Sequence, residues 1–179
     1  RVGLLGDDAA HLIIRNNVIA GNGTGVYVER QGDFDLLFAD NVVANNSDPH
    51  DYGADGLDRS ANGLEIHGTG NSGTFDLTIV DSIFGGNAAS GAQIAAAAYD
   101  RSVVVVQDSA FRQNVFSGLA LSQHGIGDAQ ARFASVLADD NGTGLFVGAT
   151  EAGTTFVSMR DVAAGGNVGF GIGIVQLES

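Results

Sequence analysis

The sequence predicts an all-β parallel solenoid of about six coils, and three observations carry that prediction. Asparagine recurs at Asn22, Asn46, Asn87, Asn114, Asn141 and Asn167, at intervals of 24, 41, 27, 27 and 26 residues. Columns of apolar residues keep phase with these asparagines through all six units. No unit carries the 3.6-residue period of an amphipathic helix, only the alternation of a strand.

Each element follows from its column. A first strand is set by Leu12, Leu36, Leu77, Val104, Ala131 and Val157, ten residues before each asparagine, and by Ile14, Phe38, Ile79, Val106, Phe133 and Met159, eight before. The two columns are two residues apart and therefore share one face of a strand. Six before each asparagine stand Asn16, Asp40, Asp81, Asp108, Ser135 and Asp161, short polar residues suited to a bend. A third apolar column, Ile19, Val43, Phe84, Phe111, Ala138 and Ala164, follows three residues later. After the asparagine, pairs such as Val26 and Val28, Leu64 and Ile66, or Leu119 and Leu121 mark a second strand, often announced by glycine. So short a unit, read as two strands, cannot bury its own apolar face, so successive units must stack. Stacking places each inward side chain on its equivalent in the next coil and lets the asparagines form a hydrogen-bonded ladder.

One interval is longer. From each asparagine to the next inward residue the gap is 4 or 5, but from Asn46 to Leu64 it is 18. A polar loop over 47–62 therefore leaves the second coil, holding the chain's one proline and the segment Asp48-Pro49-His50-Asp51-Tyr52-Gly53, then Asp55, Asp58 and Arg59. Long loops on rigid scaffolds are where sites are usually built.

Composition narrows the partners. The 179 residues carry 21 acidic and 8 basic side chains, a net charge of -13, and every basic residue is arginine. Such a chain lacks the basic surface that neutralises phosphates or docks on anionic lipid, so neither nucleic acid nor membrane insertion is expected. There is no cysteine, hence no disulfide framework and no thiolate metal site. A single domain over 1–179 is expected. Arg1 in place of a methionine and a strand-like Ile172-Gly173-Ile174-Val175 near the other end suggest a piece of a longer chain.

The run Asn16-Asn17-Val18-Ile19 leading to Asn22, then Gly25-Val26-Tyr27-Val28, resembles the repeat of right-handed parallel β-helix proteins of the pectate-lyase-like superfamily. The resemblance implies a right-handed solenoid and an extracellular or cell-surface setting, but that superfamily spans lyases, hydrolases, epimerases, tailspikes and non-catalytic surface proteins, and fold does not fix function. Asp48-Pro49-His50 is similar to the Asp-Pro-His motif of mannuronan C5-epimerases, which implies proton-transfer roles for the Asp and His.

Three readings compete for the loop. Proton abstraction beside a uronate carboxylate needs a base, a cation to neutralise the carboxylate and a proton donor, roles open to His50, Tyr52, Arg59 and His67. Alternatively Asp48, Asp51, Asp55 and Asp58 offer hard oxygen ligands for calcium. The third reading is a solvated surface loop. Separately, the outward positions of the second strand place Tyr27, Glu65, Gln93 and Phe146 in one row, a set suited to a polysaccharide. The aliphatic outward residues Ile13, Leu37 and Val105 of the first strand suggest a face covered by another segment of a parent chain or by a second copy. The sequence thus points to a structural or carbohydrate-contacting module, with a uronate lyase or C5-epimerase and an oligomeric adhesin or tailspike-like shaft as alternatives.

Overall fold

In the computed structural model, backbone is described for 2–4, 9–47, 61–70, 72–125, 127–150 and 153–177, and side chains for the same residues except 2–4. After β1 (Val2–Leu4), the coils run in order. The first holds β2 (Ala10–Arg15), β3 (Val18–Ala20) and β4 (Val26–Gln31). The second holds β5 (Phe34–Ala39), β6 (Val42–Ala44) and β7 (Leu64–Thr69), and the third β8 (Thr74–Val80), β9 (Ile83–Gly85) and β10 (Ala92–Ala97). In the fourth and fifth the first two strands merge, giving β11 (Arg101–Arg112) with β12 (Ser117–His124), then β13 (Asp128–Asp139) with β14 (Thr143–Thr150). The sixth is β15 (Thr155–Arg160), β16 (Ala163–Gly165) and β17 (Ile172–Leu177). Every pairing is parallel and joins equivalent strands of adjacent coils. The protein is an all-β parallel solenoid of about six coils.

One correction concerns the unit. The first, second, third and sixth coils have three strands, not two, because there the third apolar column lies on a short strand of its own, such as β6 or β9, whereas in the fourth and fifth it lies within β11 and β13. The bend that separates it from the first strand is the predicted polar column. Asn16, Asp40, Asp81, Asp108, Ser135 and Asp161 all have φ between 47° and 58°, the left-handed region that short polar side chains tolerate better than most.

The predicted columns are the core. Leu36, Leu77, Val104 and Ala131 stack in register, as do Phe38, Ile79, Val106 and Phe133, and all eight are buried. Phe84 and Phe111 stack face to face at 4.9 Å with 3° between ring planes. The first strand reaches one inward position further than its two columns, and Phe34 and Phe75 stack there at 4.9 Å.

The asparagines form the expected ladder. Asn46 Nδ2 donates to Asn87 Oδ1 at 2.8 Å, Asn87 to Asn114 at 2.8 Å and Asn114 to Asn141 at 2.9 Å. Each asparagine's backbone N–H donates to the same oxygen. A glycine column is its consequence: a Cβ on Gly91 would lie 2.5 Å from Gly118 O and 2.9 Å from Asn114 Nδ2. A second polar ladder, absent from the sequence reading, runs inside the bend, where Asn17 N–H donates to Asn41 Oδ1, Asn41 N–H to Ser82 Oγ and Ser82 N–H to Ser109 Oγ.

Candidate functional site

His50, Tyr52 and Arg59, with Asp48, Asp51, Asp55 and Asp58, lie outside the described residues, as does the Asp-Pro-His motif. Among the described residues no group of three or more His, Asp or Glu side chains is arranged to hold a metal ion. His67, however, is described, and it belongs to the same patch as Tyr27, Glu65 and Gln93.

Alternation builds that patch. In β7 the inward Leu64 and Ile66 leave Glu65 and His67 on the outer face, two residues apart. The parallel register then sets Tyr27 opposite Glu65, Glu29 opposite His67, and Gln93 on the far side of Glu65. His67 Nε2 donates to Glu65 Oε1 at 2.7 Å. The rings of Tyr27 and His67 lie 5.7 Å apart, and the Tyr27 hydroxyl donates to Glu29 Oε2 at 3.2 Å.

Asn62 ties the patch to the turn before β7. Its Nδ2 donates to Glu65 Oε2 at 3.1 Å and to Gln93 Oε1 at 3.2 Å, while its Oδ1 accepts from the Ser90 N–H at 2.9 Å. Sequence reasoning missed Asn62 because it belongs to no column. Its only signal is its place just before the announcing Gly63.

Exposure divides the set. Tyr27 and Glu65 are buried at 7% and 6%, although they are on an outward face, whereas Gln93 is exposed and His67 and Phe146 are half-buried. The buried groups therefore orient the accessible ones. Glu65 holds the His67 ring through Nε2 and leaves Nδ1 outside that bond. Asn62 occupies Gln93 Oε1 and leaves the Gln93 amide N–H groups for an outside acceptor.

Phe146 stands on the same row, two coils beyond Gln93 through Ala120. Its ring spreads over backbone without side chains: a Cβ on Gly148 would meet the ring edge at 3.1 Å and one on Gly173 at 3.3 Å. The row thus carries hydrogen-bonding groups at its second and third coils and a flat aromatic face at its fifth, about 10 Å away at the ordinary strand spacing.

No curated protein and no solved structure matches the chain. One family does, described as "Right handed beta helix region", and it matches residues 1–133. With that match joined to the stacked parallel coils and the asparagine ladder, the chain belongs to the right-handed β-helix family.

Proposed function

We propose that this β-helix is a carbohydrate-contacting module of an extracellular or cell-surface protein, and that it binds a neutral polysaccharide along the outer face of its seven-stranded sheet. The observation that carries the reading is the row holding Gln93 near one end, with His67 on the adjacent outward position of β7, and the flat-lying Phe146 near the other. Sugar recognition combines amide and imidazole groups for hydroxyls with an aromatic face for the ring's C–H surface. The span exceeds one sugar ring, which suits a chain rather than a monosaccharide. A neutral chain is favoured because Glu29 and Glu65 lie in the patch and the net charge of -13 repels polyanions.

Affinity electrophoresis through gels holding a soluble neutral glucan, xylan or polygalacturonate tests this. Retardation by a neutral polymer is expected, with Gln93→Ala and Phe146→Ala each weakening it roughly five- to tenfold, the loss of about 1 kcal/mol of contact. No retardation by any neutral polymer, or equal retardation by polygalacturonate at low salt, would overturn it.

The Glu65–His67 bond favours a second reading, a polysaccharide-modifying enzyme. A carboxylate that orients an imidazole is the arrangement of a general base. Under that reading the wild-type chain cleaves or epimerises a polymer, Glu65→Gln lowers kcat by about 100-fold or more, and product analysis separates this from binding alone.

A further inference from the structure

The seven-stranded sheet has a third inward column, and it is not apolar throughout. In register it runs Arg30, Gly68, Ala96, Gln123 and Ala149. Gln123 therefore points inward beyond Leu119 and Leu121, and it is 3% exposed. Its Nε2 donates to Ser102 Oγ at 2.8 Å, but Oε1 finds no partner among the described residues. Exchanging the amide's two ends does not help, since one end then meets Ser102 and the other is left unpaired.

A buried amide oxygen without a donor costs too much to leave unmatched. Beside it is a cavity of about 10 Å³, lined by Gln123, Ser102, Tyr99, Ala96, Ala129 and Asp128. That is close to the space one water molecule needs. Of the other walls, Ala96 and Ala129 are apolar, the Tyr99 hydroxyl already donates to Gly32 O at 3.2 Å, and the Gly125 and Asp128 N–H groups already donate to Thr150 O and Asp100 O. Ser102 accepts from Gln123, so its own hydroxyl hydrogen is available.

We infer that this cavity is a binding site for one resident water, which donates to Gln123 Oε1 and accepts from the Ser102 hydroxyl. The water completes the polar pair Ser102–Gln123 inside the fourth coil and satisfies both side chains at once. No protein donor has to reach into the core.

A crystal structure of the chain beyond about 1.5 Å resolution tests the site directly, with thermal unfolding of Gln123→Met as an independent readout. Expected are density for one water within hydrogen-bonding reach of both Gln123 Oε1 and Ser102 Oγ, its loss in Gln123→Met, and a melting temperature lower by about 2–4 °C in that variant. A dry cavity, or a Gln123 whose two amide ends both pair with protein atoms, overturns the inference. So does a melting temperature unchanged or raised in Gln123→Met, because replacing a truly unpaired amide by an apolar group of similar shape relieves a penalty.

Discussion

At the scale of single residues the ladder asparagines do the most. Asn114 is 2% exposed, and its Oδ1 accepts from both the backbone and the side chain of Asn87. Its Nδ2 also donates to Phe84 O at 3.2 Å, which locks the turn to the third apolar column one coil back. Asn114→Ala therefore strands two buried donors and a carbonyl, and a loss of about 3–5 kcal/mol in urea unfolding is expected. Asn22→Ala at the first coil should cost only about 1 kcal/mol, since Asn22 is exposed and its side-chain ladder bond to Asn46 Oδ1 is longer, at 3.3 Å. Equal losses at the two positions would mean that the ladder is not an interior device. Recurrence made these asparagines legible. The residues just before them were not: Gly21, Asn45, Gly86, Gln113, Asp140 and Gly166 all adopt positive φ. The column mixes glycine with four-atom and amide side chains, so its common feature is a backbone angle that no shared chemistry announces.

At the scale of strands and turns, what alternation reveals and what it hides are visible side by side. Two-residue periods placed Leu64 and Ile66 inside and Glu65 and His67 outside, and the register repeats that placement in every coil. The short strands were seen only as a column, because three residues such as Val42–Ala44 hold a single inward side chain and no period. Asn62 was invisible for a related reason: it bonds Glu65 in its own coil and Gln93 in the next from a position no repeat defines. Tyr99 likewise belongs to no column, lying between β10 and β11 with its ring 5.4 Å from Phe75. Burial raises its pKa from 10.0 to about 12, partly offset by the nearby Arg30 charge. The folded state thus keeps the phenol proton after the unfolded chain has released it, so stability is full below pH 10 and falls as pH rises toward 12. The loss amounts to roughly 2–3 kcal/mol. Tyr99→Phe should remove most of that decline between pH 10 and 12, while costing about 1 kcal/mol at neutral pH for the lost bond to Gly32 O. Denaturant midpoints of both proteins at pH 8 and pH 11 check it, and parallel declines would place the alkaline sensitivity elsewhere.

For the whole molecule, a solenoid's stability is a sum over coils and their interfaces, so an inner coil is held from both sides and an outer one from one side. The side chains show this gradient. Leu119 and Leu121 in the fourth coil are buried at 0%, whereas their equivalents Ile172 and Ile174 in the sixth are 42% and 53% exposed. The same inward alternation therefore contributes little at that edge, where β17 pairs only with β14 among the described strands. Hydrogen exchange should follow this order, with β10 and β12 amides slowest and β17 amides fastest by at least about 100-fold, a difference of roughly 3 kcal/mol in opening free energy. Charge acts on the same gradient. The bend column stacks Asp40, Asp81 and Asp108 on consecutive coils, a line of like charges about 4.8 Å apart within a chain of net charge -13. Raising salt to about 0.5 M screens that line, so the melting temperature should rise. Asp81→Asn, which keeps a residue tolerant of the left-handed bend, should raise it at low salt and erase part of the salt effect. A salt response unchanged by Asp81→Asn would mean that the self-repulsion arises from the rest of the acidic surface and not from the stacked bend.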